Sequence, residues 1–343
     1  MIYHHKSYKN KIFNVGIIGC GLIGKKRSEN LGKKGRLIAC ADVNINRAKL
    51  IANKKKEIRV FKKWKDLLKI KELNIIIIAT SHNQLSKILL ESIKANKHVF
   101  IEKPASINLK DLKKIINKNK ILKRKIQVGY NHRFLSAIIK CKKIIDKKLI
   151  GDLMFIKASY GHGGRFGYEN EWRMNPKISG GGELIDQGSH LIDLSEFFLG
   201  KTIKIEGVIR DFFWKKKVDD NAFVTLKFKK KLLSFLHVSC TEWKNNFLFE
   251  IYGTKGKLRI EGKGGSYGKE KLYFYKMNKR MAYPKIYFWK FNKKDYSWKR
   301  ELDQFYIDIE KNRQPNPGLE QAYRVLSIIK KIYKINKYYD YSS

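Results

Sequence analysis

A glycine turn near the start of the chain constrains its fold more than any other feature. An apolar segment over residues 12–18 predicts a buried strand, and Gly19, Gly21 and Gly24 follow it in the spacing G-x-G-x-x-G. A helix-compatible segment and a second apolar strand that ends on Asp42 come next. In such a unit the first glycine allows the tight turn, the second lets the backbone approach a pyrophosphate, and the third lets helix and strand pack closely. The turn therefore predicts a dinucleotide site.

Asp42 indicates which dinucleotide to expect. It lies about 20 residues past the turn, at the tip of the second strand, where a carboxylate can accept from ribose hydroxyls. A carboxylate repels the 2′-phosphate of NADP, so we expect NAD. NADP stays open as the alternative, because Arg47 can neutralise a phosphate. The pyrophosphate is expected on the helix N-terminus, where free N–H groups favour negative charge.

Predicted strands and helices alternate over the first 131 residues. The strands are predicted at 12–18, 36–42, 57–61, 74–80, 97–104 and 125–131, and helices at 44–55, 64–70, 83–95 and 111–120. The fully apolar strand at 74–80 is typical of a parallel sheet that is buried on both faces. The pattern predicts a doubly wound α/β sheet, whose ligands lie at the carboxyl ends of the strands. Such ends are expected to carry Thr80, Glu102, Lys103, Tyr130 and Asn131.

The pattern changes after residue 131. We expect a helix at 134–148, a strand at 151–160, a glycine-rich loop at 161–182, a helix at 183–199, strands at 203–213, 220–228, 232–240 and 246–252, and closing helices at 300–311 and 318–337. The alternating strands predict an antiparallel sheet. For the basic and aromatic stretch at 262–298, the sequence does not predict the order of helices and strands. Two domains are expected: an NAD(P)-binding Rossmann domain over 10–131 and a substrate domain over 132–343, for which the family resemblance given below also implies a role in oligomerisation. The closing helices can pack back on the first domain.

The composition raises one alternative, namely that the chain is a nucleic-acid-binding protein. The 343-residue chain has a formal net charge of +44 at pH 7, as nucleic-acid binders often do. Its lysines are spread over nearly every segment and no nucleic-acid-binding motif is present, so specific nucleic-acid binding is not expected. The four cysteines are scattered without a C-x-x-C pair, which argues against a metal site or a disulfide framework. No leader peptide or membrane span is found, and we expect a cytoplasmic protein.

Two further motifs carry candidate catalytic residues. In GGGELIDQGSHLID, residues 180–193, the glycines are expected to let the loop pass close to a ligand. Asp186 and His190 are four residues apart and share a helix face, so the carboxylate can orient the imidazole for proton transfer near neutral pH. Lys103, in the E-K-P motif, follows a parallel strand beside the expected nicotinamide, where its amine can exchange protons.

The loop over residues 161–181 is the candidate substrate loop. Arg165 and Arg173 can bind a phosphate or carboxylate, and Trp172 can stack on a sugar or base. The alternative is a basic surface loop that one tryptophan anchors.

Together these segments resemble the Gfo/Idh/MocA oxidoreductase family. The resemblance runs from GIIGCGLIG through IIIIATS, KHVFIEKP, VGYNHRF and the GGGELIDQGSHLID motif to the closing helices. It implies an N-terminal Rossmann domain and a C-terminal α/β domain with a large, mostly antiparallel open sheet. It also implies hydride transfer between NAD(P) and a secondary hydroxyl of a sugar, cyclitol or nucleotide sugar, in a homodimer or homotetramer.

The resemblance also implies roles for individual residues. Lys103, Asp186 and His190 match the catalytic set, and whether Lys103 or His190 takes the hydroxyl proton stays open. The implied cofactor contacts are Gly19, Gly21, Leu22, Ile23, Gly24, Asp42, Thr80, Glu102 and Lys103. The expected substrate contacts are Asn131, Arg165, Trp172, Arg173 and His190.

One segment departs from the family pattern. Where the family commonly shows A-T-P-N-x-x-H, Ser81 replaces the proline and Leu85 replaces the histidine, which suits a packing role for Leu85. The substrate loop resembles members from surface-polysaccharide pathways, which favours an anionic or nucleotide-activated sugar. Two alternatives stay open: a non-catalytic NAD(P)-binding sensor, and a redox-neutral enzyme that uses NAD internally.

Overall fold

The chain folds into two compact units that interleave along the sequence. The computed structural model describes residues 11–53, 55–278, 280–291 and 295–338. Unit 1 comprises Met1–Ala105, Lys113–Gly129 and Trp298–Leu319, and unit 2 comprises Ser106–Leu112, Tyr130–Ser297 and Glu320–Ser343. The division of the chain into domains at 10–131 and 132–343 stays a prediction.

Unit 1 contains a six-stranded sheet in the order β3-β2-β1-β4-β5-β6, with every pair parallel. Its strands are β1 (Phe13–Ile18), β2 (Gly35–Ala41), β3 (Arg59–Phe61), β4 (Ile75–Ile78), β5 (His98–Glu102) and β6 (Ile126–Gly129). The helices between them are α1 (Leu22–Ser28), α2 (Ile45–Ala52), α3 (Trp64–Leu68), α4 (His82–Lys94) and α5 (Leu109–Leu122). This order confirms the doubly wound sheet, because the strand order reverses at β1.

The closing helix α9 (Ser297–Glu310) completes the core of unit 1. Leu302, Phe305 and Tyr306 are fully buried on it, at a spacing of three and four residues, so they form one apolar stripe. Tyr306 stacks on Phe13 of β1 with ring centroids 5.5 Å apart. A helix distant in sequence therefore packs against the first strand.

A buried cation links three elements of unit 1. The guanidinium of Arg27 on α1 is 2.6 Å from Glu102 at the end of β5 and 2.8 Å from Glu301 on α9. Phe100 and Trp298 cover it, with ring centroids 4.1 and 4.4 Å from Cζ. Burial disfavours the charged guanidinium, but the two carboxylates more than compensate and hold the pKa of Arg27 above its usual value. The cluster fixes α1 against the sheet.

Unit 2 contains an eight-stranded sheet in the order β14-β13-β12-β11-β7-β10-β9-β8. The strands are β7 (Leu153–Gly161), β8 (Thr202–Arg210), β9 (Asn221–Phe228), β10 (Leu233–Ser239), β11 (Asn246–Gly253), β12 (Gly256–Glu261), β13 (Lys271–Lys276) and β14 (Lys285–Lys290). The helices are α6 (Ser136–Asp146), α7 (Pro176–Ser179), α8 (Ser189–Leu199) and α10 (Leu319–Ile335). Only β7 and β10 pair in parallel among the described strands of this sheet, so the mostly antiparallel sheet is confirmed.

Two segments of unit 2 differ from the sequence predictions. The loop at 161–182 contains two short 3-10 turns and α7, which Asn175 caps by accepting from the Lys177 N–H. The helix predicted over 183–199 begins with a π-helical turn, Leu184–Gly188, before α8 starts. Within the described parts of the chain, none of the helices has the length and apolar character that crossing a bilayer requires.

We expect the substitution Arg27→Met to destabilise unit 1 by about 3–5 kcal/mol, because it leaves two carboxylates without their buried cation. Urea unfolding followed by tryptophan fluorescence measures the change. Arg59→Met is the matched control, since Arg59 pairs with Glu72 in solvent and exposed pairs contribute little. Equal stability of the two variants would contradict a stabilising role for the Arg27 cluster.

Candidate active site

The turn after β1 accepts only glycine at its first and third glycine positions. Gly19 has φ +91°, and a Cβ there would lie 2.5 Å from the Ala79 carbonyl oxygen. A Cβ on Gly24 would lie 1.9 Å from the Gly19 carbonyl oxygen. The first glycine therefore permits the tight turn and the third permits the close approach of α1 to β1, as the sequence predicts.

The second glycine faces open space. No described atom lies within 4 Å of the position that a Cβ on Gly21 would occupy. Gly21 precedes α1 without a side chain to cap the helix, and Leu22 beside it is 78% exposed. The helix N-terminus therefore presents uncapped N–H groups to an open space, which fits the pyrophosphate of a dinucleotide.

Asp42 lies directly after β2 and touches the same turn. Its carboxylate accepts from the Cys20 N–H at 2.7 Å and from the Asn44 N–H at 2.8 Å. A carboxylate offers about four lone-pair sites, so acceptor capacity remains for ribose hydroxyls. These bonds hold the acid beside the glycine turn, where NAD would place its adenosine ribose.

The later strand ends of unit 1 carry the other predicted cofactor residues. Thr80 lies two residues after β4 and donates its hydroxyl to the Ser81 carbonyl at 3.3 Å. Lys103 is half-buried directly after β5. Glu102 is engaged by Arg27, a structural partner that sequence reasoning missed; its contact with the cofactor stays a prediction. Leu85 is fully buried on α4, in agreement with its expected packing role.

In unit 2, His190 lies in the first turn of α8 and is 6% exposed. Its ring is tilted by 35° on the ring of His132, with centroids 3.9 Å apart. Tyr130 and Tyr160 surround it with ring centroids at 6.0 and 6.3 Å. Aromatic rings therefore surround the imidazole of His190. His132 was not singled out by sequence reasoning, although it directly follows Asn131, a predicted strand-end residue.

The carboxylate of Asp186 lies in the π-helical turn before α8. It accepts from the Nε–H of Arg173 at 3.1 Å. The predicted α-helical face shared by Asp186 and His190 is therefore interrupted by a wider turn, because a π-helix has more residues per turn than an α-helix.

The predicted substrate loop uses its basic residues internally. Arg173 also lies 3.4 Å from Glu171 and stacks on Trp172, with Cζ 4.7 Å from the ring centroid. Arg165 pairs with Glu171 as well. Asn131 donates to the Ser297 hydroxyl at 3.0 Å. The roles of all four predicted residues in substrate binding stay predictions.

The GGG segment packs on neighbouring segments of unit 2, and the expected approach of a ligand to it stays a prediction. A Cβ on Gly180 would lie 2.5 Å from Ile107, one on Gly181 would lie 2.1 Å from the Tyr333 hydroxyl, and one on Gly182 would lie 1.9 Å from the Asp219 carbonyl oxygen. Glycine is therefore required at all three positions by neighbouring chain segments. Because these neighbours lie far along the chain from the glycines, no local sequence pattern predicts them.

Asp219 secures this segment to the sheet. Its carboxylate accepts from the N–H groups of Gly182 and Leu184 at 2.9 and 2.7 Å, and from the Tyr333 hydroxyl at 2.9 Å. Burial raises the pKa of Asp219 to about 7, although these hydrogen bonds oppose the rise. Asp219 therefore helps to position the π-helical turn that precedes α8.

A half-buried histidine lies near the same turn. His162 Nε2 is 3.4 Å from Glu183 Oε1, which also accepts from the Tyr168 hydroxyl at 3.2 Å. Burial lowers the pKa of His162, but Glu183 and Asp186 together raise it by more, so the net shift is upward. Sequence reasoning missed this group, whose only signal was a histidine at the start of the glycine-rich loop.

The different surroundings of Gly21 and Gly24 predict different effects of alanine substitution at the two positions. We expect Gly21→Ala to fold like the native chain but to weaken NAD binding, because its methyl group occupies the space left for the pyrophosphate. Gly24→Ala should instead lower the melting temperature without ligand, because its Cβ has no room. Thermal melts with and without NAD separate the two effects. A Gly21→Ala variant with native NAD affinity would contradict this placement of the cofactor.

Comparisons with known proteins agree with this geometry. A model of the oxidoreductase family with an NAD-binding Rossmann fold matches residues 13–130, and a model of the GFO/IDH/MocA C-terminal domain matches residues 138–259. Together the two models cover well over half of the chain.

Curated relatives include two sugar or cyclitol dehydrogenases. Myo-inositol 2-dehydrogenase of Thermotoga maritima is 24% identical over 291 residues, which span 78% of this chain and 84% of that protein. Levoglucosan dehydrogenase of Pseudarthrobacter phenanthrenivorans is 23% identical over 283 residues, which span 71% of this chain and 72% of that protein.

A solved structure of levoglucosan dehydrogenase in complex with NADH shares the fold. It superposes with a TM-score of 0.87 at 19% identity, covering 95% of this chain and 97% of that one. With both halves matched by the family models, the chain belongs to the Gfo/Idh/MocA family of NAD-binding oxidoreductases.

Proposed function

We propose that this enzyme oxidises a secondary hydroxyl of an anionic or nucleotide-activated sugar, or reduces the corresponding ketone, with NAD as cofactor. The chain belongs to a family of NAD-binding oxidoreductases whose members include inositol and levoglucosan dehydrogenases. The observation that carries the proposal is the setting of His190, a buried imidazole one turn after the Asp186 carboxylate and packed against aromatic rings.

The proton of the hydroxyl needs an acceptor of suitable basicity. In this proposal either Lys103 Nζ or a ring nitrogen of His190 takes that proton, and Asp186 orients His190. Arg173 holds the Asp186 carboxylate at 3.1 Å, so the orienting group is itself fixed. When bound, NAD supplies the nicotinamide C4 that exchanges the hydride. The aromatic setting of His190 excludes bulk water from the imidazole.

The strongly basic composition supports an anionic substrate. With a formal net charge of +44, the protein attracts anions over much of its surface. A nucleotide-activated sugar carries a negative charge. The proposal includes a role in surface-polysaccharide synthesis, which the resemblance of the substrate-loop sequence to family members from such pathways supports. Cytoplasmic location stays a prediction.

We expect Lys103→Ala and His190→Ala each to lower turnover by about 10²–10⁴-fold, the usual contribution of a proton-transferring side chain. The assay follows NADH absorbance with a panel of neutral, acidic, phosphorylated and nucleotide-linked sugars. NADH fluorescence should show that both variants still bind the cofactor, and Lys118→Ala, which changes an exposed lysine on α5, is the control. The mechanism is wrong if both variants keep full turnover.

We also propose assembly as a homodimer or homotetramer through the outer face of the eight-stranded sheet. Val208, Phe223 and Phe235 are 45–50% exposed there, on neighbouring strands β8, β9 and β10. A large apolar patch of this kind is typical of an interface.

We expect the native protein to sediment as an oligomer and Phe235→Glu to sediment as a smaller species, because the new charge would be buried without a partner. Leu149→Glu is the control, since Leu149 is 46% exposed but lies outside the sheet. Sedimentation velocity measures both variants. A monomeric native protein would contradict the proposed interface.

A further inference from the structure

Two loops of unit 2 lie side by side at one end of the eight-stranded sheet. The loop at 211–220 joins β8 to β9, and the loop at 240–245 joins β10 to β11. The Trp214 indole N–H donates to the Cys240 carbonyl at 3.2 Å, and the Cys240 N–H donates to the Asp220 carbonyl at 2.9 Å. These hydrogen bonds tie the two loops together.

Aromatic side chains of the two loops are exposed. Phe212, Phe213 and Trp243 are each more than half exposed. The rings of Phe213 and Trp243 have centroids 4.9 Å apart and an interplanar angle of 83°. These two rings therefore meet at nearly a right angle, and we call the pair the aromatic corner. An exposed apolar patch of this kind is typical of a ligand or partner site.

The backbone beneath the aromatic corner is firmly held. The Asp220 carboxylate accepts from three successive backbone N–H groups, at residues 212–214, with distances of 3.0, 2.6 and 3.2 Å. The Trp214 ring packs on the Phe213 ring with centroids 5.0 Å apart. Trp243 has φ +52°, a left-handed conformation that is unusual for a bulky residue. Rings held in this way lose little conformational freedom when a ligand binds, which favours recognition.

The aromatic corner adjoins the candidate substrate loop. A Cβ on Gly163 would lie 2.8 Å from the Cα atom of Trp243. Gly163 directly follows His162, whose Nε2 is 3.4 Å from Glu183 Oε1. Glu183 lies three residues before Asp186 in the chain. The exposed rings therefore border the loop that the sequence predicts to bind the substrate.

Exposed lysines flank the aromatic corner in both loops. Residues 215–217 are three successive lysines that directly follow Trp214. Lys244 directly follows Trp243, so the Cα atoms of these two residues lie about 3.8 Å apart. All four lysine side chains are exposed, and they take part in none of the ion pairs that the described residues form. Their ammonium groups can therefore meet an anion from solution.

The acids of the same loops are less accessible than these lysines. Asp219 and Asp220 are buried and accept from backbone N–H groups. Asp211 is half-buried and accepts from a backbone N–H at 2.7 Å, and the half-buried Glu242 lies 3.5 Å from His237 Nδ1. The accessible charge beside the aromatic corner is therefore positive, which suits an anionic ligand.

We propose that the aromatic corner and its flanking lysines bind the nucleoside diphosphate of a nucleotide-activated sugar. The base stacks on the exposed indole of Trp243, and the lysines pair with the diphosphate. A second copy of this chain fits less well, because a symmetric contact would bring the lysines of both copies together. This inference rests on the proposed function, since it concerns the nucleotide of a substrate whose sugar reacts beside His190.

Calorimetric titration of the protein saturated with NADH tests this site without requiring turnover, because the cofactor then fills the dinucleotide site. The probes are UDP, GDP, their nucleosides uridine and guanosine, and inorganic pyrophosphate. We expect UDP or GDP to bind about tenfold more tightly than its nucleoside and than pyrophosphate. Only the nucleotide makes both the stacking contact and the charge-assisted contact.

Variants separate the two contacts. Trp243→Ala should weaken binding of the favoured nucleotide about tenfold, as removal of a stacked ring does, and Trp243→Tyr should keep most of the affinity. The double variant Lys216→Gln, Lys217→Gln should weaken binding of the nucleotide but leave binding of the nucleoside unchanged. Tyr283→Ala and Lys118→Gln are the controls, because they change exposed side chains in other segments. Thermal melts show that each variant folds.

The outcomes separate this site from the reaction. Loss of nucleotide affinity in Trp243→Ala and in the lysine variant, but not in the controls, supports the site. The site is wrong if neither nucleotide binds more tightly than pyrophosphate, or if Trp243→Ala keeps the native affinity. Affinity that depends on Trp243, without hydride transfer to any sugar of the turnover panel, would leave the site standing and remove the proposed reaction. Turnover of sugars by a protein without nucleotide affinity would do the reverse.

Discussion

The surroundings of His132 and His190 in unit 2 depend on one buried ion pair. Arg133 donates to both carboxylate oxygens of Asp193, at 2.7 and 2.6 Å, and Phe197 lies against the guanidinium with its ring centroid 4.9 Å from Cζ. Burial raises the pKa of Asp193, and Arg133 opposes that rise. Arg133 directly follows His132, and Asp193 lies one helical turn after His190. The pair therefore fixes the two imidazole rings against each other, and removing either charge would leave the other buried alone.

The sequence predicted the features that local patterns encode. The spacing of Gly19, Gly21 and Gly24 indicated both the turn and its cofactor, because each position has its own steric requirement within a few residues of chain. The apolar run of β4 and the alternation of the later strands predicted the two sheets, since burial on both faces or on one face leaves a local periodicity. The position of His190 on a helix could be read in the same way.

The sequence could not predict partners that lie far along the chain. The glycines at 180–182 predict a close approach to a ligand, which stays a prediction, and the sequence gives no sign that Ile107, Tyr333 and Asp219 lie against them. For Arg173 the sequence predicts an anion-binding role, which stays a prediction, and the loop pattern does not specify the contacts that the structure shows with Glu171, Asp186 and the Trp172 ring. A motif indicates that an arginine or a glycine makes a special contact. Tertiary packing decides whether the partner in that contact is protein or ligand.

The distribution of charge extends this argument. Ten acidic side chains are buried among the described residues, against two lysines and two arginines. Several of these acids accept hydrogen bonds from backbone N–H groups, as Asp220 does from Phe212 and Phe213. These acids are thus used in the interior, while the lysines lie mainly on the surface. This distribution allows a folded chain to carry a formal net charge of +44. A field spread so evenly attracts every anion alike, so discrimination between ligands must come from side chains of fixed geometry that contact the ligand directly.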